Sequence, residues 1–181
     1  MTATIKNGMV ALLLFGSAGT AHASTQGTFG ATSTGSVNIN ASVPARVRIS
    51  GLTDVDLTNS DPSVDAQVAQ DICVWSNTAT RGYRVTATGS GSANAFTLAN
   101  GALPVVPYVV EWAGTSGQTT GAGLSTGTPL TGLTSSATNS SCASGPASSA
   151  SLIVKIGSPD LQAMPATTSF TGTLTLVVAP E

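Results

Sequence analysis

Apolar side chains recur at every second position along most of this chain, the spacing of a β-strand with one buried face, and almost nowhere at the helical spacing of about 3.6 residues. Val37, Ile39, Ala41 and Val43 alternate with Asn38, Asn40 and Ser42, and Val47 and Ile49 keep the same odd parity beyond Pro44. Pro44 has no amide proton to give to a ladder, so it marks an edge position or a break between two strands. Ile72 to Trp75 is short and apolar on both parities, as a strand buried on both faces would be. Tyr83, Val85 and Ala87 form another alternating set, and Phe96 and Leu98 follow a Gly-Ser turn. Val106, Tyr108, Val110 and Trp112 make the most regular amphipathic strand, with Val105, Pro107, Val109 and Glu111 on its other face and Pro107 again suggesting an edge. Leu152, Val154 and Ile156 start a strand that ends at Ser158-Pro159, and a final strand runs from about Ser169 to Ala179 with Phe170, Leu174, Leu176 and Val178 on one face.

One short helix is expected, from Pro62 to about Gln70, with Ser60 or Asp61 as cap and Pro62 in its first turn. Residues 114–150 are largely Gly, Ala, Ser, Thr and Asn, a composition that buries little apolar surface. They are expected to form long loops around one or two weak strands, anchored by Leu124, Leu130 and Leu133. Seven to nine short strands with Gly-rich turns predict an all-β sandwich.

The first residues carry Lys6, an apolar run from Met9 to Phe15 and then Ala21-His22-Ala23, the pattern of a secretory signal cut after Ala23. That run is too short to cross a bilayer as a helix, and no later stretch approaches the roughly 20 apolar residues required. The expectation is an exported, soluble chain that does not span a membrane, with residues 1–23 as signal peptide, 24–44 as an N-terminal extension and 45–181 as one sandwich domain. Arg46, Arg48, Arg81, Arg84 and Lys155 face eight acidic residues. That balance argues against nucleic acid, whose phosphates reward clustered Lys and Arg. Charged residues are only 8% of the chain, but hydrophobic ones reach 41% and arrive in alternating runs, so a folded core is expected. Cys73 and Cys142 are the two cysteines, and an oxidising compartment makes a disulfide between them the default, two buried thiols being the alternative.

Catalytic chemistry finds little to work with. His22, the one histidine, lies in the signal, which removes Ser-His-Asp and Cys-His machinery and His-based metal sites from the mature chain. Glu111 and Glu181 lack an evident carboxylate partner for general acid and base work, and Glu111 fits a solvated strand face. Asp54, Asp56, Asp61 and Asp65 crowd one stretch, but without the central glycine and closing glutamate of an EF-hand, and turns and caps account for aspartates equally well. Gly89-Ser90-Gly91 reads as a turn, and Trp75, Tyr83, Tyr108 and Trp112 as core before sugar platform. No catalytic, cofactor-binding or metal residue is assigned, and no enzyme activity is expected.

In layout the chain resembles pilin subunits of the chaperone-usher pathway, in particular the archaic and colonisation-factor branches and spore-coat-U-like domains. The resemblance rests on the alternating stretch Gly35 to Val43 after an export signal, on Val106-Pro107-Tyr108-Val109-Val110-Glu111-Trp112, and on Phe170 to Val178 at the end. Many archaic pilins place a cysteine just after the first strand, where this chain has Arg46 to Ile49, so that branch's disulfide pattern does not carry over. The resemblance implies an incomplete immunoglobulin-like sandwich completed by a donor strand, with identical or related subunits, a periplasmic chaperone and an outer-membrane usher as partners. It implies passage through the periplasm to a surface pilus that supports adhesion or biofilm formation. Val37, Ile39, Ala41 and Val43 are the candidate donor residues, inserting into a neighbouring copy by β-augmentation; the alternative is that they pair within their own chain as an ordinary first strand. A rival reading is a self-contained secreted sandwich that binds carbohydrate or another surface ligand through its loops.

Overall fold

The computed structural model describes residues 24–181, so the expected signal lies outside the described residues. The chain divides into two compact units, Met1–Val43 and Pro44–Glu181. In the described part of the first, Thr25 and Ser36 exchange backbone hydrogen bonds of 2.9 Å as an isolated bridge. Residues 37–46 belong to no strand.

The second unit holds the strands β1 (Val47–Ser50), β2 (Ala66–Ser76), β3 (Gly82–Gly89), β4 (Thr97–Leu98), β5 (Val106–Pro107), β6 (Val109–Ala113), β7 (Ala122–Gly123), β8 (Leu130–Thr134), β9 (Ala150–Ile156) and β10 (Leu174–Pro180). They form a five-stranded sheet in the order β1-β2-β9-β6-β7, a three-stranded sheet β10-β3-β8 and a small β4-β5 pair, with every pairing antiparallel. The inward parity of each strand supplies the core: Ile72 and Val74 from β2, Val110 and Trp112 from β6, and Leu152, Val154 and Ile156 from β9, set against Tyr83, Val85 and Ala87 of β3. Trp112 donates its indole N–H to the Tyr83 hydroxyl at 3.2 Å, and the two rings meet edge to face. The protein is therefore an all-β sandwich.

The stretch expected to be helical from Pro62 to Gln70 instead gives a turn at Pro62 to Ser63 and then the longest strand. Gln70 hides the alternation of Ala66, Val68, Ile72 and Val74 by placing an amide on the apolar parity. That amide accepts from the Thr53 backbone N–H at 2.8 Å and donates to the Thr53 carbonyl at 3.1 Å. It thus satisfies the chain where Gly51, at a φ of +83°, turns it away from β1. The α-helix, α1 (Ser158–Ala163), follows β9, with Pro159 in its first turn and Leu161 buried.

Residues 115–121 and 137–142 cover the outer face of the five-stranded sheet, whereas β7 joins that sheet and β8 joins the other. Ile153, on the outward parity of β9, is fully buried. Asp71 accepts from Gly117 N–H at 2.6 Å, Gln67 donates to the Thr119 carbonyl at 2.9 Å and Glu111 accepts from Gly121 N–H at 2.9 Å, so short polar side chains hold the loop where apolar ones are scarce. Cys73 and Cys142 are joined, with Cα atoms 6.0 Å apart, and Trp75 and Ala137 pack against the bridge. Beyond the last β2–β9 pair, the Ser149 hydroxyl accepts from Val74 N–H at 2.8 Å and donates to the Val74 carbonyl at 2.7 Å, doing the work of an absent strand neighbour.

Candidate functional site

The order of the principal strands can be compared with an immunoglobulin constant-type sandwich, in which A, B, E and D form one sheet and C, F and G the other. Taken in chain order, β1, β2, β3, β6, β9 and β10 stand as A to F: β1-β2-β9-β6 is A-B-E-D, and β3-β10 is C-F. No described strand occupies the G position beside β10. The sandwich is immunoglobulin-like, and among the described residues the place beside β10 is open.

The side chains along that gap register it. β1 and β10 are edge strands of their respective sheets and lie near one another across the sandwich. Val47 and Ile49 of β1, Val55 and Leu57 of the following loop, and Leu174, Leu176 and Val178 of β10 all pack on the core, yet each stays partly exposed. Their partners one strand further in are sealed: Val74, opposite Ile49, and Val85, opposite Val178, are both 0% exposed. The result is a strip of partly exposed aliphatic side chains beside an unpaired strand edge, the lining of a groove that a further strand beside β10 would fill. An open edge of this kind is an invitation to pair with another strand.

The four candidate donor residues sit outside any strand. Val37 is 72% exposed, Ile39 87% and Val43 79%, and Ala41 is exposed as well. At the start of the second unit, Asn77 accepts from Arg46 N–H at 2.6 Å and donates to the Pro44 carbonyl at 2.9 Å. Residues 24–45 carry no charged side chain, which matches an aliphatic groove. Val47, Ile49, Leu174, Leu176 and Val178 were visible in the sequence as strand residues and Val55 and Leu57 were not, and nothing there distinguishes an edge strand facing a gap from one facing a full core.

The remaining candidate chemistry resolves into local structure. Asp56 accepts from the Thr58 hydroxyl and N–H, Asp61 from Ser63 N–H and Asp65 from Ser158 N–H, at 2.6 to 2.9 Å. The Thr58 hydroxyl, then its N–H, holds the Asp56 carboxyl below its ordinary range, and the Ser63 N–H does the same for Asp61. These three carboxylates line an open concavity of about 290 Å³, remote in sequence from β10. Glu111 pairs with Lys155 at 2.7 Å on the sheet's outer face, and this contact lowers its pKa. Burial pushes the Tyr83 and Tyr108 hydroxyls up, so neither is a ready base.

No protein-family model matches the chain, and no curated protein matches it. Among solved structures it is similar to a chain of a chaperone–tip adhesin complex described as vital for activation of CFA/I fimbriae biogenesis, at 14% identity and a TM-score of 0.46. The match covers 76% of this chain and 41% of that one, so the chain spans less than half of its length. At that TM-score the likeness adds nothing to the fold that the strand order defines.

Proposed function

We propose that this chain is a structural subunit of a surface fibre, a pilus or fimbria, in which residues 35–43 of one copy fill the groove between β1 and β10 of the next. The observation that supports it most is the pairing of two complementary lacks in one molecule. One is an aliphatic groove with a free strand edge; the other is an exposed, uncharged, alternating segment that belongs to no strand. Backbone pairing to β10 supplies affinity, and Val37, Ile39, Ala41 and Val43 supply the side chains that seal the groove. Before assembly the same edge needs cover, the task of a periplasmic chaperone, and delivery through an outer-membrane usher follows from the resemblance to chaperone-usher pilins. The fibre's role is adhesion or biofilm formation, and the protein is not an enzyme.

Deleting residues 24–43 tests this. The truncated chain folds when its chaperone is supplied but forms no fibre, while the full chain does both; failure to fold even with chaperone present would show that the segment belongs to its own domain.

A further inference from the structure

The hydrogen-bonding sense of every residue in β10 can be read from its inner side. Glu181 N–H donates to the Gly82 carbonyl at 3.1 Å, and Glu181 lies opposite Gly82 in the same register that pairs Pro180 with Tyr83 and Leu174 with Gly89. Hydrogen-bonded and non-hydrogen-bonded pairs alternate along an antiparallel ladder. Ala179, Val177 and Thr175 therefore bond to β3, whereas Leu174, Leu176, Val178 and Pro180 turn their backbone groups to the free edge. The other side of β3 agrees: Ser135 N–H donates to the Arg81 carbonyl and Gly127 N–H to the Ala87 carbonyl, so the odd residues of β3 serve that side and the even ones serve β10.

The free edge thus offers four carbonyls but only three amide protons, because Pro180 has none. Three of the residues that offer them, Leu174, Leu176 and Val178, are also the ones whose side chains pack on the core at the groove. A strand that puts its side chains in the groove must set the same residues in hydrogen-bonded pairs with them, and the donor segment has four such residues, Val37, Ile39, Ala41 and Val43.

We propose that β10 reads the donor segment of another copy in one antiparallel register, Val43 opposite Leu174, Ala41 opposite Leu176, Ile39 opposite Val178 and Val37 opposite Pro180, and that Pro180 makes the Val37 end the weak end of the joint. This deepens the strand-donation reading and rests on it. The antiparallel sense is that of a G strand beside F, and antiparallel ladders are the slightly stronger kind. A slip of two residues in either direction puts Gly35 or Ala45 in the row and moves Val43 or Val37 off it, since β10 runs from Leu174 to Pro180. At the Pro180 step one bond of the pair is missing, so the ladder closes with three full pairs and one half pair.

Cysteine pairs in the full chain read the register in the fibre. Directly opposed residues in hydrogen-bonded pairs have Cα atoms about 5.5 Å apart, within disulfide range. V43C/L174C and I39C/V178C cross-link neighbouring copies; A41C/L174C and I39C/L176C do not. Cross-links through the second two pairs and not the first would overturn the register while leaving strand donation intact. Hydrogen exchange separates the two ideas: the Leu174, Leu176 and Val178 amides gain protection only on assembly, and fibres in which they stay unprotected would refute donation to β10 altogether. Pro180→Ala adds the missing donor and slows fibre dissociation by roughly five-fold, the effect of about one hydrogen bond; an unchanged rate would refute the role given to Pro180.

Discussion

Replacing Leu176 with alanine separates what the groove contributes to one subunit from what it contributes to a joint between two. Leu176 is partly exposed on the inward face of β10, next to a gap, whereas Ile72 on β2 is fully buried. Complete burial of a leucine contributes about 1.5–3 kcal/mol, and a leucine- or isoleucine-to-alanine change in a closed core costs about 2–5 kcal/mol. Most of that burial is already present before assembly, so Leu176→Ala should lower the stability of the monomer by about 1–3 kcal/mol. A further ~0.5–1 kcal/mol, roughly a two- to five-fold weaker joint, should appear only when a donor strand covers the site. Ile72→Ala should show the opposite division, about 2–5 kcal/mol in the monomer and little in the joint. Denaturant titration of assembly-blocked monomers carrying Ile39→Asp gives the first quantity, and dissociation of preformed fibres gives the second. If Leu176→Ala costs the monomer as much as Ile72→Ala and leaves fibre dissociation unchanged, the groove is filled within its own chain and the reasoning fails.

Replacing both Cys73 and Cys142 should cost about 4 kcal/mol, the chain-entropy value for a loop spanning a separation of 69 residues, with hydrogen exchange rising first around Ala137 and Ser149. Tyr83→Phe should cost about 1–3 kcal/mol in denaturant titrations, because it leaves the buried Trp112 N–H without its acceptor. The Asp71 carboxyl is held below its ordinary 3.8, first by Gly117 N–H and then by the Ser151 hydroxyl. A depressed folded-state pKa contributes stability that is present above the ordinary value and lost as pH falls through the folded one. Protection of the Gly117 amide should therefore fall below pH 3.8, and Asp71→Asn should weaken it at neutral pH and flatten that acid-side loss.

The strands that alternate without interruption were legible in the sequence. Tyr83-Val85-Ala87, Val110-Trp112 and Leu152-Val154-Ile156 lie where their periodicity puts them, and Ile72 to Val74 is buried on both parities as its composition indicates. Reading failed where a polar side chain stood in for backbone. Gln70, bonded to Thr53, masked the parity of β2 beside helix-cap residues that serve a turn. The cover over the outer sheet face was also hidden, since it is held by hydrogen bonds that Asp71 and Glu111 accept and Gln67 donates and by the disulfide, with little apolar patterning of its own. The apolar parity of Leu152 to Val154 continued through Ile153 was its one trace. The groove was the least legible feature, because whether Leu174, Leu176 and Val178 face a neighbour or a gap depends on strand order, which no local pattern encodes.

Mixing two complementary variants tests strand donation most directly. Ile39→Asp places a charge on the donor and leaves the groove intact; Leu176→Asp places one in the groove and leaves the donor intact. Each chain alone should remain monomeric, and an equimolar mixture should form one-to-one dimers that grow no further, since a single good donor meets a single good groove. Mass measurement in solution reads the outcome. Fibres from either variant alone, or a mixture of folded chains that stays monomeric, would contradict the account.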